Sequence, residues 1–137
     1  MSRRPLKYFS SWFCPFAHRA TIALDHHGIS YEWVEALGWI AGKPPSGSEE
    51  YDASSRNEWI YHYKAPELLK ANPLGMIPTI LDPESGKVVT NSINVIQFID
   101  ELAEERGMTT ASLLPGDVYD RARAREAAEE INKTVTK

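Results

Sequence analysis

Hydrophobic and polar positions change period several times along this chain, and each change marks an element. Residues 6–9 are a short apolar run and predict a first strand. Ala17, Ala20, Thr21 and Leu24 then fall at i, i+3, i+4 and i+7, which is one face of a helix. Pro15 suits the first position of that helix, where a missing N–H costs nothing, and Gly28 suits its left-handed end. Residues 31–34 predict a second strand. Residues 38–62 show little periodicity. Their centre, Lys43-Pro44-Pro45-Ser46-Gly47-Ser48-Glu49-Glu50, is rich in breakers and predicts a long loop. Trp39, Trp59, Tyr61 and Tyr63 flank that centre, so the loop's ends are expected to pack down.

The second half is more regular. Residues 64–71 predict a short helix that Asn72-Pro73 stops. Residues 77–81 predict a strand, with Pro78 at its start because proline has no N–H for the ladder. Residues 82–87 are a turn cluster, and residues 88–90 complete a hairpin. Ser92 is expected to cap a helix whose apolar face is Val95, Phe98, Ile99, Leu102 and Ala103, with Gly107 at its end. The order is β-α-β, long loop, α, β-β-α. A parallel pair followed by a hairpin on one mixed four-stranded sheet is the thioredoxin-like α/β plan. That plan needs residues 1–106. Residues 107–116 read as a linker. Residues 117–137 read as a further helix, with Asp117 as cap, Asp120 in the first turn and a thin apolar face of Ala124, Ala127, Ala128 and Ile131. That helix buries little by itself and is expected to be the first element of something that the chain does not complete.

Composition narrows the function. The chain has 137 residues, 42% apolar and 25% charged, which suits a packed globule rather than disorder. A net charge of −4, with only Arg3, Arg4 and Lys7 as a basic cluster, argues against nucleic-acid binding. No run approaches the ~18 apolar residues of a membrane span. Arg3 and Arg4 have no apolar core behind them, so a secretory signal is not expected. The single cysteine forms no internal disulfide and no cysteine-rich metal site. A lone cysteine suits a reducing compartment, and a cytoplasmic location is expected, with no metal. Asn132-Lys133-Thr134 matches a glycosylation sequon but reads as chance without a signal.

Three local patterns carry chemistry. Cys14-Pro15-Phe16-Ala17 lies at a strand-to-helix junction, where free backbone N–H groups and the helix dipole favour a thiolate. A lone cysteine is otherwise a small buried filler. The position three residues on is Ala17, so no resolving thiol lies within the motif, and an outside thiol must release any mixed disulfide. That requirement points to glutathione. Ile77-Pro78, with a cis peptide, would present the Ile77 backbone to an extended peptide; the alternative is an ordinary turn proline. Asn91-Ser92, at a helix N-terminus, suits a carboxylate as well as plain capping. His26-His27 reads as a helix end where cationic histidine is mildly favourable, and His18 as a solvated histidine able to tune Cys14. Arg121, Arg123, Arg125, Glu126, Glu129 and Glu130 read as a solvated helix face.

Phe13-Cys14-Pro15-Phe16-Ala17-His18-Arg19 resembles the active-site run of omega-class and related cysteine-type glutathione transferases. Asn72-Pro73-Leu74-Gly75-Met76-Ile77-Pro78-Thr79 resembles their Asn-Pro-x-Gly-x-(Val/Ile)-Pro segment. The motifs come in the family's order and with similar spacing, and the resemblance covers about residues 5–106. It implies that Cys14 bonds or faces the glutathione sulfur and that Phe16 lines the pocket. It implies that Lys64 meets the glycyl carboxylate and that Ile77 pairs by backbone with the cysteinyl part. Pro78 would be cis, and Ser92 would hold the γ-glutamyl carboxylate. Where the family has an acidic residue or glutamine before that serine, this chain has Asn91, which would bind the γ-glutamyl amine without charge.

The implied activity is glutathione-dependent thiol transfer on a small electrophile or disulfide. The alternative is a non-catalytic glutathione-binding or protein-interaction module. An intracellular chloride channel relative would need a first helix able to enter a bilayer, which Arg19, Asp25, His26 and His27 oppose. A monothiol glutaredoxin would lack the long loop and the terminal helix. Uncovered apolar surface on the last two helices predicts homodimerisation or poor solubility.

Overall fold

The computed structural model describes residues 3–41 and 60–135. Strand β1 (Leu6–Ser10) is central: β2 (Tyr31–Glu35) pairs with it in parallel, Tyr8 opposite Trp33, and β5 (Thr79–Leu81) pairs antiparallel, Tyr8 opposite Ile80. Strand β6 (Val88–Thr90) closes the hairpin with β5, giving a mixed sheet of order β2-β1-β5-β6. This is the expected thioredoxin-like α/β sheet. Because β1 is flanked on both edges and covered on both faces, Leu6, Tyr8, Phe9 and Ser10 are all buried.

Helices α1 (Pro15–His27) and α3 (Ser92–Glu105) cover one face. Their stripes Ala20, Ala23, Leu24 and Val95, Ile99, Ala103 meet Leu6, Tyr8 and Ile80. The short helix α2 (Pro66–Ala71) covers the other face, where Leu68, Ala65 and Ile77 pack with Phe9 and Ala17. Helix α1 ends at Gly28, whose φ of 65° lets the chain turn back while Ile29 N–H donates to the Leu24 carbonyl.

Several expectations need correction. The segment expected to be a loop over residues 38–62 pairs at its ends: β3 (Leu37–Ala41) and β4 (Ile60–Lys64) form an antiparallel ribbon, with Trp39 opposite His62. Its centre, with Trp59, lies outside the described residues. Lys64 is the last residue of β4 rather than the start of α2. The cap of α3 is Asn91, with Ser92 in the first helical position. Asn91 wins because its side-chain carbonyl reaches the N–H groups of Ile93 and Asn94.

The last helix, α4 (Val118–Val135), starts as expected at Asp117, which accepts from the N–H groups of Tyr119 and Asp120. Its expected apolar face is rotated, however. Ala124 and Ala128 are half-buried while Ala127 and Ile131 are exposed, so the inward stripe is Arg121, Ala124, Ala128 and Asn132. Arg125 is not purely solvated either, since its Nε donates to Gln97 on α3 at 3.2 Å. Among the described residues, no helix is long and apolar enough to cross a membrane.

Candidate active site

Strand β1 delivers the chain to the start of α1 through Ser11, Trp12 and Phe13. Ser11 is fixed by donating to Glu35 Oε1 at 2.7 Å, and its carbonyl accepts from the Cys14 N–H at 3.1 Å. Cys14 occupies the N-cap of α1 in extended geometry, and its side chain makes no capping bond. No acidic residue lies in the first turn, and Pro15 follows at once. The thiol therefore sits at the positive end of a 13-residue helix, half-buried and unbridged. Tyr8 stands behind it. Burial pushes the Tyr8 phenol up; bonds with Ser10 and Thr21 oppose that rise, and the nearby Cys14 adds to it. His18 is exposed, one turn beyond Cys14.

A cleft of about 530 Å³ opens beside this helix start. Phe16, Ile77, Pro78, Asn91 and Ser92 all line it, with Asn72, Leu74, Met76, Thr90 and Asn132. Five residues singled out in the sequence thus meet in one cavity. Cys14 and Lys64 are not among its lining residues. Cys14 packs with the buried cluster that contains Ile77. The Lys64 side chain lies over the residue 72–76 loop: a Cβ on Gly75 would stand 2.6 Å from Lys64 Cδ and 3.0 Å from Nζ.

The cleft wall has a rigid support. The Ile77-Pro78 peptide is cis. Asn72, buried, donates from Nδ2 to the Met76 carbonyl and to Thr79 Oγ1, both at 3.2 Å, and accepts from the Leu74 N–H. Thr79 Oγ1 donates to the same Met76 carbonyl at 2.7 Å. Asn91, one residue beyond the Thr79–Thr90 pairing, holds a φ of 75°. Such a backbone costs a non-glycine residue about 1–3 kcal/mol and is concentrated at functional sites.

Sequence reasoning missed Arg19. Its Nη1 donates to Ser92 Oγ at 3.2 Å and to Asn132 Oδ1 at 2.9 Å, and its guanidinium lies 5.0 Å from the centre of the Phe16 ring. The only sequence signal was its place in the run that begins at Phe13.

Residues 13–102 match the family described as "Glutathione S-transferase, N-terminal domain". Over 128 residues the chain is 28% identical to the mouse (Mus musculus) glutathione S-transferase omega-1, covering 93% of this chain and 41% of that protein. Over 111 residues it is 34% identical to a probable glutathione S-transferase of maize (Zea mays), covering 79% of this chain and 37% of that one. In structure it is similar to the omega 3C glutathione transferase of Trametes versicolor, with a TM-score of 0.67, 26% identity and coverage of 96% and 45% of the two chains. A tau-class enzyme from mango (Mangifera indica) gives 0.65, also at 26% identity, with coverage of 96% and 47%. The chain spans less than half the length of each of these relatives. With the cleft, the cis-proline wall and the family match on residues 13–102 agreeing, the chain belongs to the glutathione S-transferase family.

Proposed function

We propose that this chain carries out glutathione-dependent thiol transfer through Cys14. The observation that carries this reading is the placement of Cys14: an unbridged thiol at the N-cap of α1, with no capping bond of its own, next to the cleft that Phe16 and Ile77 line. The Cys14 thiolate attacks the glutathionyl sulfur of a mixed disulfide. A Cys14–glutathione disulfide forms, and the substrate thiolate leaves and takes up a proton. A second glutathione thiolate then attacks the glutathionyl sulfur, oxidised glutathione departs, and the Cys14 thiolate returns. Ala17 leaves no internal thiol to compete with that second step.

The binding roles follow the cleft. Ile77 offers its backbone to the cysteinyl part, beside the cis Pro78. Phe16 forms the apolar wall. Ser92 and the α3 N-terminus take the γ-glutamyl carboxylate, and the Asn91 amide takes the γ-glutamyl amine. Lys64, stacked over Gly75, takes the glycyl carboxylate. Residues 1–106 form the glutathione-binding unit, residues 107–116 connect, and residues 117–137 belong to an all-helical unit.

Reduction of a glutathionylated mixed disulfide by glutathione, wild type against Cys14→Ala, tests the reading. Turnover by the wild type and none by the variant is expected, with a glutathione-mass adduct on the wild type alone. Glutathione binding with no turnover in either protein would leave only a binding module.

A further inference from the structure

We propose that Arg19 is the positioning residue for the γ-glutamyl end of the cleft, an inference that rests on the glutathione-binding reading above. Among the described residues, none that lines the cleft carries a charge. With Lys64 assigned to the glycyl carboxylate, the γ-glutamyl carboxylate would therefore meet a neutral wall. Arg19 stands directly behind that wall and touches three of its members: Ser92 and Asn132 by hydrogen bonds from Nη1, and Phe16 through its ring face.

The bond to Ser92 has a direction that matters. Arg19 donates, so the Ser92 oxygen accepts, and the hydroxyl hydrogen donates to no described group. That hydrogen is left to point at an anion in the cleft. The guanidinium behind it increases the positive potential there and makes the hydroxyl a better donor. Arg19 so supplies the charge that the neutral Asn91 and Ser92 lack, without entering the cleft itself. Phe16 holds the guanidinium plane in place. Asn132 belongs to α4, so the last helix also reaches the cleft.

The test is steady-state kinetics with two thiols, glutathione and cysteinylglycine, on wild type, Arg19→Gln and Arg19→Lys. Cysteinylglycine lacks the γ-glutamyl group. Arg19→Gln is expected to raise the KM for glutathione roughly ten- to a hundredfold, the equivalent of one charge-assisted hydrogen bond, with kcat held within about threefold. Turnover of cysteinylglycine should not change. Arg19→Lys keeps the charge but not the planar stack, and should recover part of the lost affinity. Equal losses with both thiols, together with a lower melting temperature, would assign Arg19 to structure and overturn the proposal. An unchanged glutathione KM in Arg19→Gln would overturn it as well, while leaving the Cys14 reading intact. A wild type that neither binds glutathione nor forms its Cys14 adduct would remove both.

Discussion

Asn91 has two duties that meet in one side chain. Its carbonyl caps α3, and its backbone holds a positive φ at the cleft wall. Aspartate has the same shape and caps as well, so Asn91→Asp should keep α3 and add a negative charge where the proposed reading puts the γ-glutamyl ammonium. The expected gain is a two- to fivefold lower KM for glutathione, the scale of a solvent-exposed ion pair of about 0.4–1 kcal/mol. An unchanged KM with an intact fold would deny that the amine sits there. Gly75 is the second informative residue. Its φ of 63° disfavours any side chain, and a methyl group there would stand 2.6 Å from Lys64 Cδ, so the Lys64 side chain would have to move. Gly75→Ala should cost about 1–2 kcal/mol in a melting experiment and displace the Lys64 ammonium. Glutathione should then bind more weakly, whereas γ-glutamylcysteine, which has no glycyl carboxylate, should bind as before; equal weakening of both would dissociate Lys64 from that subsite. Phe16, Ile77, Pro78 and Ser92, which line the cleft, were singled out in sequence because each sits in a short contiguous stretch. Arg19 was not, since its partners Ser92 and Asn132 lie 73 and 113 residues away and only folding brings them together.

Elements with a clear period were legible, and those specified by pairing were not. Strand β1, α1, the β5–β6 hairpin and α3 follow their apolar patterns. The β3–β4 ribbon does not, because its strands pair by backbone across a long polar insert and their sequence has little apolar periodicity. His27 is a different kind of miss. It continues the buried α1 stripe of Ala17, Ala20 and Leu24 at i+10, so the spacing was present but the residue was read only as a favourable cation at a helix end. The ring is buried and bonds Asp100 of α3 at 2.8 Å, and its other nitrogen meets Thr110. Asp100 also accepts from Ser112 and from the Leu113 N–H, so this pair fastens residues 110–113 to the ends of α1 and α3. Burial alone would raise the Asp100 carboxyl; Ser112, Leu113 and His27 together outweigh it and hold the carboxyl below its ordinary value. The sign follows. The stabilisation is fully present above the ordinary carboxylate value and is lost as the pH falls through the lowered one. Asp100→Asn should therefore cost about 1–3 kcal/mol at neutral pH, and its melting temperature should depend less on acid than that of the wild type. Two proteins with parallel acid profiles would refute the role.

At the scale of the molecule, the apolar surface is unevenly distributed. The faces of the mixed sheet are sealed by α1, α2 and α3, whereas the end near Cys14 and the outer side of α4 are open. Trp12 is 84% exposed and stacks edge-on with Phe13, and Leu74 and Met76 project from the cleft loop at 79% and 63%. On α4, Val118, Tyr119 and Ile131 are 69%, 77% and 59% exposed. Between α3 and α4 a further cavity of about 180 Å³ is lined by Ile93, Ile96, Leu113, Leu114, Ala124 and Ala128, together with Gln97, Asp100 and Arg125. A bundle of only α3 and α4 cannot close that gap, because α4 faces inward with alanines too short to fill it. Exposed apolar side chains on two sides of the chain mark candidate association surfaces. The chain should therefore bind a dye such as ANS and should sediment with a mass that rises with concentration. Replacing Tyr119 and Ile131 with lysine should lower both signals while leaving glutathione turnover unchanged, since neither residue touches the cleft. If the double variant still self-associates, the contact lies instead at Trp12, Leu74 and Met76, and glutathione, by filling the cleft beside them, should then weaken it. A monomer silent to the dye at every concentration would show that these side chains fold back onto the cavity in solution and that α3 and α4 cover one another after all.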